Sequence, residues 1–213
     1  SGNSSFGTAV VGTVSGTSIS FGTPVVFESA NCNHISLTYD TNSDKVVIAY
    51  NDEGNSRFGT AIVGTVSGTS ISFGSAAVYE SARSDNVKEA FDSNNNKVVI
   101  AYQDDGNSSH GTAVVATVSG TSISFGTPVV FEAAETDGIS IVYDTNAQKI
   151  VIAYRDAGDS NQGRAIVGTV SGTSISFGTA VEFTSNNSLP IAAVYESDAQ
   201  KIVIAFNDFV DTK

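Results

Sequence analysis

"VSGTSISFG" occupies residues 14–22, and the same nine letters return at 66–74, 118–126 and 170–178. The interval is 52 residues each time, and the register extends well beyond the match. A fixed period of this size signals a propeller, a solenoid or an array, in which units bury their apolar faces against their neighbours. Four units, 6–57, 58–109, 110–161 and 162–213, follow without gaps, so 1–213 reads as a single repeat domain. Residues 1–5, "SGNSS", match 53–57, "EGNSR". The sequence thus starts late in one copy of a segment and finishes by completing another.

Each unit reads as four strands. In the first full set, strand one is "ISLTY" (35–39), which alternates apolar and polar, and strand two is "KVVIAY" (45–50), which is nearly continuous apolar. Strand three is "GTAIVGTV" (59–66) and strand four "SISFGSAAVY" (70–79). Alternation suits a half-exposed strand, and a continuous run suits one covered on both faces. Pro24 and Pro128 fall in strand four, and proline donates no ladder hydrogen bond, so strand four is expected at the sheet edge. "SGTS" places glycine first of two central hairpin residues, as a type II′ turn requires. "DTNSDK" (40–45) and "DSNNNK" (92–97) read as Asn/Asp hairpin loops between strands one and two.

Sixteen of the 19 aromatic residues fall in four columns, led by Phe21, Tyr39, Tyr50 and Phe27 and repeated every 52 positions. Such recurrence fits repeated packing between similar sheets and reads as core. The expected fold is all-β: a four-bladed β-propeller of 52-residue, four-stranded antiparallel repeats. The phase of the repeat suggests closure of the ring by pairing of the N- and C-terminal strands. A β-solenoid with two bare ends, or two chains forming an eight-bladed ring, are the lesser alternatives. The expected state is accordingly a monomer, or a dimer if the ring has eight blades.

The formal net charge is −12, from 22 acidic and 10 basic residues. That argues against nucleic-acid phosphates and anionic membranes as partners. No apolar run is long enough for a transmembrane helix, so no membrane insertion is expected, and no signal-peptide pattern stands at the start. The one cysteine, Cys32, excludes an intrachain disulfide.

The parts "ISLTYDTNSDKVVIAYND", "GTAIVGTV", "SGTS" and Phe73 follow one another in an order that resembles the blade of sialidase-type, Asp-box propellers. The family's S-x-D-x-G-x-x-W box sits at that turn, and "SGTSISF" departs from it in lacking both Asp and Trp. The repeat text is also similar to that of predicted surface and virion (tail or fibre) proteins of marine bacteria and their phages. This second resemblance implies attachment or structural display at an extracellular, cell-surface or virion location.

Compared with one another, the units differ most in two windows. The first is "ANCNHIS" (30–36), "ARSDNVK" (82–88), "AETDGIS" (134–140) and "NNSLPIA" (186–192). The second is "NDEGNSRF" (51–58), "QDDGNSSH" (103–110), "RDAGDSNQ" (155–162) and "NDFVDTK" (207–213). In a four-stranded meander both emerge at one end of the sheets, opposite the near-constant hairpins. Variable loops on a rigid scaffold are where recognition usually lies, although surface loops also drift without function. The candidate ligand-binding rim is His34, Arg57, Arg83, Asp85, Asn86, Lys88, Glu89, Asp137 and Arg155, of types that hydrogen-bond sugars and polar surfaces.

Asp52, Asp104, Asp156 and Asp208 recur with a single residue between each of them and the end of strand two, where capping a turn is their expected role. Asp52, Asp104 and Asp156 are weak calcium candidates, because their spacing is not that of an EF-hand loop. No cofactor is otherwise expected. His34 and His110 lack a partner at metal spacing, and Cys32 beside His34 is a weak pattern for a metal site or a catalytic dyad. The reading favoured by the residues is a non-enzymatic recognition module for surface glycan or another polar ligand. The alternative is a structural repeat that contacts protein neighbours in an assembly. A glycosidase acting through rim carboxylates such as Asp85 or Glu89 ranks third.

Overall fold

The computed structural model describes residues 5–209, and all its long elements are antiparallel strands. At the N-terminal end lie β1 (Phe6–Ala9), β2 (Gly12–Ser15) and β3 (Ser18–Phe21). The first full unit follows as β4 (Val25–Asp40), β5 (Lys45–Asp52), β6 (Phe58–Ser67) and β7 (Ser70–Phe73). The next is β8 (Ala77–Asp92), β9 (Lys97–Asp104), β10 (His110–Ser119) and β11 (Ser122–Phe125). Then come β12 (Val129–Asp144), β13 (Lys149–Asp156), β14 (Gln162–Ser171) and β15 (Ser174–Phe177), and finally β16 (Val181–Glu196) and β17 (Lys201–Phe209).

The fourth strand is not one strand. β7 pairs with the far half of β6 (Gly64↔Phe73), and the start of β8 pairs with its near half (Ala61↔Ala77). Between them the chain breaks at residues 74–76, where the Gly74 amide donates to the Val63 carbonyl at 2.9 Å. The break recurs at Gly22, Gly126 and Gly178, with or without a following proline, so glycine and not proline marks it. The second half of the fourth strand then runs directly into strand one of the next unit. β8 pairs with β6 through Arg83 and with β9 from Ser84 onward. The first variable window, expected as a connection, is therefore the middle of a 16-residue strand. A register shift between Asp85 and Lys88 bends it, and Asn86 has φ 51°. His34 (φ 50°) and Gly138 (φ 59°) hold the same place, and Pro190 fills it in the last copy.

The hairpins follow their chemistry. Gly16, Gly68, Gly120 and Gly172 have φ of 60–61°, while the threonine after each keeps an ordinary negative φ, as a II′ turn requires. Asp40 and Asp92 cap the other hairpins by accepting two backbone amides each, at 2.9 and 3.0 Å.

Alternate residues of the central strands face opposite neighbours. Val47, Ala49, Ala61 and Val63 on one face of the first unit pack against Val98, Ile100 and Tyr102 of the second. Val99, Ala101 and Val115 on the other face of that unit pack against Ile150, Ile152 and Tyr154. β5, β9 and β13 are thus covered on both sides, which is why their sequences are continuous apolar runs. Each strand-four aromatic lies over a strand-two ring: Phe27 on Tyr50 at 5.3 Å, Tyr79 on Tyr102 at 5.1 Å, Phe131 on Tyr154 at 5.2 Å and Phe183 on Phe206 at 4.9 Å. Three of the four aromatic columns meet in this way, since Phe73, Phe125 and Phe177 close the first three stacks. The fourth column is less buried than expected: Tyr39 is half exposed and bonded to Asp44.

The sheet order runs from β1 through β4, β5, β6, β8, β9, β10, β12, β13 and β14 to β16 and β17. Ring closure was expected to pair the first strand with the last. Among the described residues that pairing is not formed: β1 pairs with β4 and β17 with β16, and the path is open.

Candidate functional site

The two variable windows lie against each other at one end of the sheets. A Cβ on Gly54 would overlap the Ala30 methyl, and Gly106 and Gly158 approach Ala82 and Ala134 in the same manner. Asp52 and Asp104 start short 3-10 turns by accepting the Gly54 and Gly106 amides at 2.9 Å, and Asp156 accepts from the Asp159 amide at 3.0 Å. These carboxylates do the turn capping that the sequence suggested. Among the described residues no group of three or more His, Cys, Asp or Glu side chains is gathered as a metal site.

Most candidate rim residues are brought together, and they satisfy one another. His34 reaches across a unit boundary to Asp85 at 3.3 Å. Arg83 pairs with Asp85 at 2.5 Å and with Asp105 at 3.3 Å. Asn51, fully buried, donates to the Ser84 carbonyl at 2.9 Å and to Asp85 at 3.1 Å. Asn86 donates to Gln103 at 2.8 Å. Arg57 lies 3.4 Å from Glu53, which also accepts from Asn31 at 2.8 Å and Asn33 at 2.6 Å. The Asn31 hydrogen bond, with help from Arg57, holds the Glu53 carboxyl below its usual range. Arg155 forms a fork on Asp137 and donates to Asn187 at 2.9 Å. Lys88 is exposed on β8 and forms none of the ion pairs found among the described residues.

Glu89 does not belong to the rim. It faces the same side as its partner Ile100, is 8 % exposed, and sits between the first and second units. Its counterparts are Leu37, Ile141 and Ala193, so it is a carboxyl in an apolar column. Among the described residues neither oxygen has a well-formed hydrogen bond, and burial pushes its pKa well above the carboxylate range, opposed only in part by the Thr38 backbone. The sealed position removes it from any rim carboxylate pair. Cys32 and His34 do not form a dyad either: His34 turns to Asp85, while Cys32 lies under Gly7 and its thiol is pushed up to about 12, first by burial. The four arginines do not form one cluster: Arg57 and Arg83 are neighbours, whereas Arg164 pairs with Asp156 and Asp159 and Arg155 with Asp137.

Two features escaped the sequence reading. The first is a repeated Glu–Tyr bond. Tyr50, Tyr102 and Tyr154 donate to Glu28, Glu80 and Glu132 at 3.4, 3.2 and 2.8 Å. In the last copy Phe206 has no hydroxyl and Thr184 replaces the glutamate. That joint change was visible in the repeats. The second is a polar hollow of about 400 Å³ on the variable rim, lined by Ser160, Asn161, Ser185, Asn186, Asn187 and the exposed ring of Phe209. Nothing in local sequence reveals it, because it forms where the two windows of different units meet.

No protein-family model matches the chain, and no curated protein matches it. Among the described residues, no helix is long and apolar enough to cross a membrane.

Proposed function

We propose that the protein is a non-enzymatic attachment module that binds a neutral polar ligand, a surface glycan in class, at its variable rim. The single observation that carries this reading is the hollow between the 160–161 and 185–187 segments. It offers three amide side chains, two serine hydroxyls and one aromatic face. Amides and hydroxyls supply both donors and acceptors, and a ring face stacks on the apolar side of a sugar. Of the candidate residues, Arg155 reaches the hollow, holding Asn187 while it pairs with Asp137; those at 34, 57, 83 and 85 lie at another unit boundary, where Asp85 joins His34 and Arg83, and Arg57 pairs with Glu53. Such a role fits an extracellular, cell-surface or virion setting. The unit is read as a propeller-type blade, but a closed four-bladed ring is not part of the proposal, since β1 and β17 do not pair.

The test is a glycan array followed by titration of the strongest ligand. Asn161→Ala and Asn186→Ala should weaken binding at least about tenfold, the loss of one to two hydrogen bonds. Thr69→Ala, in a hairpin at the other end, should leave it unchanged. Absence of binding to any glycan, or equal loss from all three variants, overturns the proposal. The structural reading has one observation in its favour, the apolar surface left at the two ends of the array.

A further inference from the structure

We propose that a second copy of this chain docks head to tail, its N-terminal strands completing the unit that β16 and β17 begin. In the internal units, Val47, Ala49, Val99, Ala101 and Ala153 are completely buried against the next sheet. Val203 and Ala205 occupy the same place in β17, yet Val203 is 51 % exposed and Ala205 is exposed as well. Val194 beside them is 58 % exposed. A strand face that is core in every internal copy is bare in the last.

The surface that fits this face stands at the opposite end of the chain. Between β1 and the first unit lies an apolar groove of about 330 Å³, walled by Ile35, Leu37, Val46 and Ile48 on one side and by Ala9 and Val10 on the other. Val46 and Ile48 are the counterparts of Val98 and Ile100, against which Val47 and Ala49 pack inside the array. The residues that fill the groove's internal equivalents are therefore the counterparts of Val203 and Ala205. Leu37 (65 % exposed) and Ile35 (45 % exposed) are left uncovered without them.

Register and hairpin agree. β13 pairs with β14 from Ile150↔Gly168 to Asp156↔Gln162. Moved by one period, the same ladder joins Ile202 to Gly12, Ala205 to Ala9 and Asp208 to Phe6 of the other copy, all in described strands. Gly22, Gly74 and Gly126 each lie against the carbonyl of the next unit's hairpin threonine, where a Cβ would overlap it. Among the described residues Gly178 meets no such carbonyl. Thr17 of a second copy stands one period on and supplies it. The contact is heterologous, so it propagates into a ring or a filament. Among the described residues of one chain β1 and β17 are not paired, which leaves the second copy as the occupant.

The inference is independent of glycan binding and is tested by directed disulfides. In a Cys32→Ser background, one chain carries Ala9→Cys and another Ala205→Cys. Residues directly opposite in an antiparallel pair have Cβ atoms about 4.5–5.5 Å apart, near disulfide reach. Mixing the two chains under mild oxidation should give a covalent dimer, at least about tenfold more than Val11→Cys mixed with Ala205→Cys, which is two positions out of register. A single chain carrying both cysteines should give linked multimers. Only intrachain bonds would show that the chain closes on itself, and no bonds would show that the ends do not meet; either overturns the proposal. Val203→Lys changes an exposed residue, so it should leave the fold intact and abolish cross-linking; unchanged cross-linking also overturns it.

Discussion

Gly74 lies directly against the Thr121 carbonyl of the following unit, so closely that a Cβ at position 74 would overlap the oxygen. The last letter of one "VSGTSISFG" thus seats on the turn of the next. The stretch is constant because it packs on its own repeat. Gly74→Ala should therefore lower stability by about 1–3 kcal/mol through overpacking. Gly178→Ala, which meets no such carbonyl among the described residues, should change it by less than about 0.5 kcal/mol in dilute chain. Denaturant midpoints of the two variants measure the difference.

Tyr102 donates its buried hydroxyl to Glu80. Tyr102→Phe removes the donor and leaves a part-buried carboxylate acceptor, at a cost of about 1–2 kcal/mol. Adding Glu80→Thr recreates the Thr184 and Phe206 pairing of the last copy and should recover much of the loss. A double-mutant cycle on unfolding free energies reads the coupling.

Glu89 predicts a pH dependence of definite sign. Its folded pKa is raised by burial, whereas an unfolded glutamate titrates near about 4.3. The stability contributed by the neutral carboxyl is complete below the unfolded value and is lost as pH rises through the folded one. Asp52, Glu80 and Asp104 are raised in the same direction, each first by burial. The melting temperature should fall as pH is raised from 5 toward 8. Glu89→Leu, which copies Leu37, should raise it and flatten the slope.

Asp85 accepts from Arg83, His34 and Asn51 together. Asp85→Ala leaves the buried Asn51 amide short of one acceptor and frees the Arg83 guanidinium and the His34 imidazole. A loss of about 1–3 kcal/mol is expected, concentrated at the first unit boundary. Hydrogen exchange should show faster opening of β4 and the first half of β8 than of β13 and β14.

The period, the II′ hairpins and the doubly covered strand two were all legible, because each depends on residues close in sequence. The course of 82–88 was not. It reads as a polar connection, yet β8 carries it as strand, because its backbone changes ladder partner at Ser84 without leaving a sheet. Glu89 was misplaced for a related reason. Its charge suggested solvent, while the register opposite Ile100 turns it inward. Ring closure was inferred from the phase of the repeat alone, and phase states which strands are complementary without stating which molecule supplies them. The candidate rim residues were found by type and window. Their pairing with one another depends on neighbouring units and was not readable from either window singly.

The most direct measurement of the central claim, an array of stacked units with complementary open ends, is the mass of the chain in solution across a wide concentration range. The account predicts a mass that grows with concentration beyond one chain and returns to one chain on Val203→Lys. A mass fixed at a single chain at every concentration, with Val203 and Leu37 protected in solution, would contradict it.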